Sequence, residues 1–159
     1  MPSTTIGPAA KRGNAKRRTA RQLPLTRSEN MSRIRGKDTK PEMIVRRVLW
    51  AAGLRYRLHD KRLPGKPDLA FPGRRMAVFV HGCFWHCHEG CKDFRIPKTR
   101  TSWWVEKLSR NKTRDTRVAA ELKNRGWQVI VIWECEVHDP QKLASLVAQI
   151  RQAAETTAP

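Results

Sequence analysis

The chain has 159 residues, enough for one domain that buries roughly 70% of the surface exposed by its unfolded form. Its 33 Lys and Arg residues against 14 Asp and Glu give a formal charge of +19, which indicates a polyanionic partner such as a nucleic acid. No apolar run reaches the roughly 20 residues of a membrane span, and the N-terminus lacks the apolar stretch of a secretory signal. These features argue against membrane-spanning and secreted classes of protein, so we expect a cytoplasmic location and no membrane partner.

Residues 1–30 differ in composition from the rest of the chain. They contain seven basic residues and one acidic residue, with interspersed Pro, Gly, Ser and Thr and few apolar side chains. Because such a segment cannot bury enough apolar surface to offset its ordering entropy, we predict that it is disordered. Three interpretations of it stay open: a nucleic-acid-binding arm, a transit peptide, or an extension ahead of a start at Met31. We place the folded domain at residues 31–155.

The folded part begins with a predicted helix at residues 40–52. Thr39 and Glu42 have the spacing of a capping box, and Gly53 is a natural end. Three segments rich in β-forming or apolar residues follow, at 54–58, 68–71 and 75–80. Because only the turn-forming pair Pro72-Gly73 and one further residue separate the last two segments, we predict that they form a hairpin.

The second half of the chain is predicted to add helices and one more strand. Residues 103–108 begin one helical stretch, and a later apolar stripe predicts a second helix that ends at Gly126. Residues 127–133 predict a buried strand, and residues 140–154 a final helix. This order of elements predicts an α/β fold in which helices flank a mixed central sheet. Three tryptophans are expected on the core faces of these elements: Trp50, Trp127 and Trp133.

Asp68 opens a predicted strand directly after a glycine-containing turn. Its carboxylate is therefore expected at the mouth of the strand, where it could bind a hard cation such as Mg²⁺ together with water and substrate phosphate. The competing interpretation is an aspartate that ends a turn and caps nearby amides, just as the capping box alone accounts for Glu42. The case for both carboxylates depends on what lies beside them.

Two histidines point to a site at the same edge of the sheet. His81 and His86 directly follow the predicted strand 75–80, so the hairpin would bring both imidazoles beside Asp68. Two histidines, an aspartate and the glutamate at position 42 could hold a metal, activate a water and protonate a leaving oxygen.

The four cysteines suggest a metal rather than a disulfide framework. Three of them lie at positions 83, 87 and 91, and the fourth, Cys135, follows the predicted strand 127–133. Thiolate and imidazole are the ligands that zinc selects. Two ligand sets stay open, one with His88 and one with Cys87, each together with Cys83, Cys91 and Cys135. Because four protein ligands leave no open position, the predicted zinc site is structural.

Large aromatic side chains stand among polar and basic residues at two places. Phe84 and Trp85 lie in the polar loop after residue 80, and Trp103 and Trp104 begin a helix just after a basic segment. Aromatic side chains beside basic residues stack on bases or wedge into base steps of DNA. Packing over a small metal loop explains any one of them equally well. Three residues of this basic stretch and its helix are predicted DNA contacts: Arg100, Lys107 and Asn111.

Five segments occur in a recognisable order: MSRIRGKDTKPE (residues 31–42), LPGKPD, HGCFWH, KTRTSWWVEK and WQVIVIWEC. Together they resemble the very short patch repair (Vsr) DNA mismatch endonuclease family over about residues 26–150. The resemblance implies a restriction-endonuclease-like fold. It also implies Mg²⁺-dependent nicking of double-stranded DNA on the 5′ side of the thymine in a T:G mismatch, the lesion left when 5-methylcytosine deaminates.

The resemblance also implies roles for individual residues. These are Asp68 and the main-chain carbonyl of Val80 for Mg²⁺, His86, His81 and Glu42 for catalysis, Phe84, Trp85 and Trp104 for intercalation, and Cys83, His88, Cys91 and Cys135 for structural Zn²⁺. A companion cytosine methyltransferase and mismatch-repair proteins are the expected partners. The expected protein is a monomer associated with the bacterial nucleoid.

Two other functions are weighed against this one. A catalytically silent, zinc-containing DNA-binding module that senses mismatched or distorted DNA would need none of four residues: Asp68, His81, His86 and Glu42. A generic restriction-type endonuclease would read regular sequence, whereas an aromatic wedge suits distorted base pairs better. Both comparisons favour the mismatch endonuclease.

Overall fold

The computed structural model describes residues 36–155, and the predicted arm at residues 1–30 lies outside the described residues. Within residues 36–155, three helices and four strands are formed: α1 (Lys40–Ala51), β1 (Arg57–Leu58), β2 (Leu69–Phe71), β3 (Met76–His81), α2 (Thr101–Asn124), β4 (Gln128–Trp133) and α3 (Pro140–Glu155). A 3₁₀ turn at Pro72–Arg74 joins β2 to β3. Within the described range, no helix is long and apolar enough to cross a membrane.

The four strands form one mixed sheet in the order β1-β2-β3-β4. β2 and β3 pair antiparallel, with Leu69 opposite Val78 and Phe71 opposite Met76, so the predicted hairpin is confirmed. β3 and β4 pair parallel, and such a pair needs a long crossover connection. The chain between them contains α2 and supplies that crossover. The predicted α/β fold with helices around a mixed sheet is confirmed.

Alternating side chains give the sheet two different faces. One face packs against α1 and α3 in a core whose most buried members are Val45, Leu49, Leu69, Phe71, Met76, Val78, Ile132, Leu146 and Ile150. The opposite face carries the residues between them, Phe79, His81, Val129 and Val131, which line a cleft beside α2. The period of two therefore delivers His81 to the cleft and not to the core.

The prediction of two helical stretches between residues 103 and 126 was wrong, because α2 is one helix of 24 residues. The polar segment between the two apolar stretches contains neither Gly nor Pro, so nothing breaks the backbone there. Ion pairs also support the exposed face of the helix, as between Glu106 and Arg110 one turn apart. The apolar stripe of this stretch is weak because one side of the helix lines the cleft and the other faces solvent.

Three expectations about strands and tryptophans also need correction. The segment 54–58 contributes only Arg57–Leu58 to the sheet. Trp50 is 56% exposed and not on the core face; the Arg55 guanidinium lies 3.7 Å from its ring centroid. β4 is buried on one face only, because its other face lines the cleft and leaves Val131 38% exposed. Accordingly, Trp127 and Trp133 are half-buried.

Candidate active site

An open cleft of about 550 Å³ lies between the sheet and α2. The predicted residues Asp68, His81 and His86 all line it, so the structure brings them together as the hairpin suggested. Four basic side chains also line the cleft: Lys37, Lys61, Lys66 and Arg114. Acidic, imidazole and cationic groups therefore share one concave surface of a strongly basic chain, an arrangement that suits a polyanion.

The carboxylate of Asp68 is held by the backbone of β3. Its Oδ2 atom accepts a hydrogen bond of 2.7 Å from the main-chain N–H of Val80. Just before β2 begins, the side chain thus takes the place of a main-chain carbonyl in the pairing with β3. Burial raises the pKa of Asp68, and the negative charge of Glu42 adds to the effect, against the Val80 N–H and nearby cations. A bound cation would replace the proton that burial favours, so a partly buried carboxylate fits a divalent metal site. The role of the Val80 carbonyl stays a prediction.

Glu42 lies behind Asp68, at the start of α1, and is only 2% exposed. The Thr39 hydroxyl accepts a hydrogen bond of 3.4 Å from the Glu42 main-chain N–H, as a capping box requires. The Glu42 carboxylate instead pairs with Arg46 and lies 3.2 Å from Nε2 of His59. Helix capping therefore explains the backbone at this position but not where the side chain goes. The sequence analysis missed both Arg46 and His59.

His86 belongs to a hydrogen-bonded pair that the sequence analysis also missed. Its Nδ1 atom donates to Oδ2 of Asp115 on α2, at 2.5 Å. The ring of His81 stacks on the ring of His86 with centroids 3.8 Å apart and an interplanar angle of 9°. Asp115 thereby fixes one ring nitrogen, and His81 fixes the plane of the ring.

Burial and charge set the protonation of this group. Burial lowers the pKa of His81 to about 4, helped by the charge of His86, so His81 is neutral at neutral pH. Burial would raise the pKa of Asp115, but its hydrogen bond and charge interaction with His86, with smaller contributions from His81 and Arg114, outweigh burial and lower it. A carboxylate that stays ionised beside an imidazole stabilises a proton on that ring.

Three side chains of the loop after β3 and one that follows β4 form a candidate zinc centre: Cys83, His88, Cys91 and Cys135. The His88 Nδ1 atom lies 3.5 Å from Sγ of Cys83 and 3.4 Å from Sγ of Cys135. Tetrahedral zinc with ordinary bond lengths needs sulfur and nitrogen ligands about 3.6 Å apart. The four groups therefore fit Zn²⁺. Cys87 is not part of this group, which favours His88 in the ligand set.

Zinc content should separate the two ligand sets. We expect His88→Ala to lose zinc and to unfold at a lower temperature, because metal binding and folding are linked. Cys87→Ala should keep both its zinc and its unfolding temperature, and serves as the matched control from the same loop. Metal analysis and thermal unfolding of the two purified variants measure this. The reverse outcome would assign the site to four cysteines.

The aromatic residues of the loop and of α2 form one cluster. Phe84 contacts Trp85 and Trp104 edge-on, with both centroid distances at 5.2 Å. Trp104 is 7% exposed and Trp103 is 42% exposed, while Phe84 and Trp85 are half-buried. The ammonium of Lys107 lies within 6 Å of three of the tryptophan rings, Trp85, Trp103 and Trp104. The predicted wedge residues thus lie together, next to a cation.

Two residues one turn apart on α2 hold two consecutive residues of the loop. Asn111 donates from Nδ2 to the main-chain carbonyl of Trp85, at 3.0 Å. Asp115, four residues later and on the same face of the helix, accepts from His86. Asn111, predicted as a DNA contact, therefore also anchors the loop. Arg100 precedes the helix with its guanidinium 5.6 Å from the Trp103 ring centroid.

The cleft therefore holds cations that suit a polyanion together with carboxylate and imidazole side chains, an arrangement compatible with metal-assisted hydrolysis of a phosphodiester. The sequence model of the family described as DNA mismatch endonuclease Vsr matches residues 22–93. The chain is 47% identical over 133 residues to the type II nicking enzyme V.XorIIP of Xanthomonas oryzae pv. oryzae, covering 84% of this chain and 95% of that protein. It is 42% identical over 118 residues to the DNA mismatch endonuclease Vsr of Escherichia coli K12, covering 74% of this chain and 75% of that protein.

A third relative, the type II nicking enzyme V.NmeAIP of Neisseria meningitidis, is 44% identical over 131 residues, which span 80% of this chain and 93% of that protein. Identity at this level over most of both chains shows common descent and a common fold. The chain belongs to the Vsr family of DNA mismatch endonucleases.

Proposed function

We propose that the protein is a Mg²⁺-dependent endonuclease that nicks one strand of duplex DNA on the 5′ side of the thymine in a T:G mismatch. The observation that carries the proposal is the basic cleft that Asp68 lines together with the stacked pair of His81 and His86. The relatives, which include a mismatch endonuclease and nicking enzymes, support the same reaction class. In this proposal a monomer acts in the bacterial cytoplasm, alongside a companion cytosine methyltransferase and mismatch-repair proteins.

Asp68 would hold Mg²⁺ against the scissile phosphate, where the bound ion supplies positive charge to the developing negative charge. His86 is placed to act as general base. With its Nδ1–H donated to Asp115, a neutral ring carries its lone pair on Nε2, which can accept the proton of the attacking water. Asp115 then stabilises the charged ring, and His81, neutral and stacked on it, keeps its orientation.

The basic residues of the cleft would bind the DNA backbone. Lys61 and Lys66 lie in the loop that leads into Asp68, and Arg114 is next to Asp115 on α2, so all three flank the proposed metal and base. Cations at these positions neutralise phosphates and fix the strand relative to the reacting groups. Phosphate binding there is independent of sequence, so recognition of the mismatch needs other residues.

The aromatic cluster would provide that recognition by wedging Phe84, Trp85 and Trp104 into the base step next to the mismatch. Unstacking a step costs a few kcal/mol and costs least where pairing is already weakened. Since Trp104 is nearly buried without DNA, the cluster has to open before that ring can enter the stack. Lys107, close to three rings of the cluster, is placed to contact DNA at the same point.

We expect Trp85→Ala to reduce nicking of mismatched duplex by about tenfold or more, because base–aromatic stacking contributes ~1–3 kcal/mol per base. Zinc content and folding should not change, since the ring lies outside the zinc cluster. The measurement is the single-turnover nicking rate, with Trp50→Ala as the control for loss of an exposed tryptophan elsewhere. A fluorescent base analogue beside the mismatch should brighten on binding of the parent protein and not of the variant. Equal rates for Trp85→Ala and the parent would show that Trp85 only packs the loop.

The reaction itself is tested with matched duplexes that carry T:G, U:G, A:C or no mismatch, incubated with the zinc-loaded protein and Mg²⁺. We expect a nick 5′ of the mismatched thymine and none in the fully paired duplex or without Mg²⁺. Binding to T:G duplex without any nick would instead support the catalytically silent DNA-binding module. Cleavage of paired duplex would support a generic endonuclease.

A further inference from the structure

His59 lies between the two acidic residues of the site, and none of the sequence motifs includes it. It follows β1 directly, and its backbone has a φ of 45°, in the left-handed region that a non-glycine residue adopts at a cost. Its main-chain N–H donates to the carbonyl of Asp68 at 3.3 Å. The cost of this conformation is consistent with a side chain that is needed where the fold puts it.

The imidazole of His59 contacts both sides of the site. Its Nε2 atom lies 3.2 Å from Oε1 of Glu42 and 3.1 Å from Nη2 of Arg46. Its Nδ1 atom lies 3.8 Å from Oδ1 of Asp68. When Nε2 accepts from the arginine, the proton of the ring is on Nδ1 and faces Asp68. One ring thus joins the carboxylate of the cleft to the charged pair behind it.

The buried charges of the site favour a side chain that connects them. Glu42 is 2% exposed and Arg46 is 8% exposed, and buried charges persist only when they are paired and hydrogen-bonded. Arg46 pairs with Glu42 and also with Asp38, the latter at 2.6 Å. The Glu42 charge acts unfavourably on ionised Asp68, whereas His59 and Arg46 act in its favour. Without the imidazole, the Asp68 carboxylate would keep the unfavourable charge of Glu42 and lose one of the groups that offset it.

His59 is poorly placed to be a metal ligand itself. It forms a group with Asp38 and Glu42 in which ligand atoms lie within 4.8 Å of one another. The Arg46 guanidinium, however, already contacts all three of these side chains. A divalent cation at that point would be repelled by the guanidinium, so the group serves to fix positions and not to bind an ion.

We infer that His59 is a positioning residue that fixes the Asp68 carboxylate relative to the buried Glu42–Arg46 pair and so sets the affinity of the site for its divalent cation. The inference rests on the proposed function, in which Asp68 binds the metal. Replacing a residue that orients a metal ligand lowers metal affinity or activity by roughly 10–100-fold. We therefore expect the loss of the His59 imidazole to lower the affinity for the divalent cation by a factor in that range.

The test is direct binding of Mn²⁺, followed by electron paramagnetic resonance, to the full zinc-loaded chain without DNA. Five proteins are compared: the parent, Asp68→Ala, His59→Ala, His59→Gln and His138→Ala. We expect His59→Ala to weaken Mn²⁺ binding by about tenfold or more. His59→Gln should recover most of that loss, because its amide reaches the place of Nε2 and can accept from Arg46. His138 is exposed and does not line the cleft, so its replacement should change nothing.

The outcomes separate the inference from the function on which it rests. If the parent does not bind Mn²⁺, or if Asp68→Ala binds Mn²⁺ as well as the parent does, the proposed metal site is wrong. If that binding exists but His59→Ala matches the parent, or binds Mn²⁺ more tightly because a competing contact is gone, only the positioning role is overturned. If His59→Ala and His59→Gln lose zinc and thermal stability together, the residue is merely structural and the inference is likewise wrong.

Nicking assays provide a second readout. For a positioning role, His59→Ala should need about tenfold more Mg²⁺ for half-maximal activity, while the rate at saturating Mg²⁺ approaches that of the parent. A lower rate at all Mg²⁺ concentrations, with an unchanged half-maximal concentration, would contradict it. His59→Gln should follow the parent in both parameters.

Discussion

Replacing Asp68 with alanine should lower the nicking rate by at least about 10³-fold. A bound metal ion stabilises the negative charge of the transition state by several kcal/mol, and the variant would lose the ligand of that ion. Binding to the mismatched duplex should persist, since the lysines of the cleft and the aromatic cluster are unchanged. Single-turnover cleavage and duplex affinity, measured with the same DNA, separate the two effects.

The matched control is Glu121→Ala, which removes an exposed carboxylate that pairs with Arg125 near the far end of α2. It should cut at the parent rate. Substantial Mg²⁺-dependent cleavage by purified Asp68→Ala would remove this residue from the proposed mechanism, whatever the behaviour of the control.

Asp115→Asn should reduce the nicking rate by about 10²-fold or more, the usual range for the loss of general acid–base catalysis. The amide keeps the size of the side chain but cannot stabilise a positive charge on His86. It can also present N–H instead of oxygen to Nδ1, which favours the wrong tautomer of the ring.

The carboxylate of Asp115 has a lowered pKa, so it stays ionised through the neutral range and should not limit activity there. A rate–pH profile of the parent and of Asp115→Asn measures both points, with zinc content and thermal unfolding as checks on folding. A variant that retains the parent rate and profile would show that His86 acts without this partner.

Much of the fold could be predicted because its signals are local. The turn at Pro72-Gly73 predicted the β2–β3 hairpin, and the hairpin in turn predicted that His81 would come near Asp68. Both predictions needed only the period of two in a strand and the reach of a short turn. Sequence spacing also suggested a zinc cluster, although it left the choice between His88 and Cys87 open.

The remaining parts of the site depend on contacts that no local pattern encodes. Asp115 meets His86 across 29 residues, and this meeting requires α2 to be continuous, whereas the polar run around Asp115 was interpreted as a break. His59 meets Glu42 only because β1 folds back beside α1. A polar residue in a loop or on a polar helix face carries no signal of the partner that the tertiary fold brings to it.

The double anchorage of the loop by α2 would link the proposed detection of the mismatch to the proposed cleavage step. Trp85 and His86 are neighbours in the chain, and the side chains that hold them, Asn111 and Asp115, are neighbours on one rigid helix. A displacement of the indole would therefore reach the imidazole through the peptide unit that joins the two residues. In the proposed mechanism, the wedge and the general base would therefore move together, so a duplex that fails to seat the aromatic ring would also meet a misaligned base.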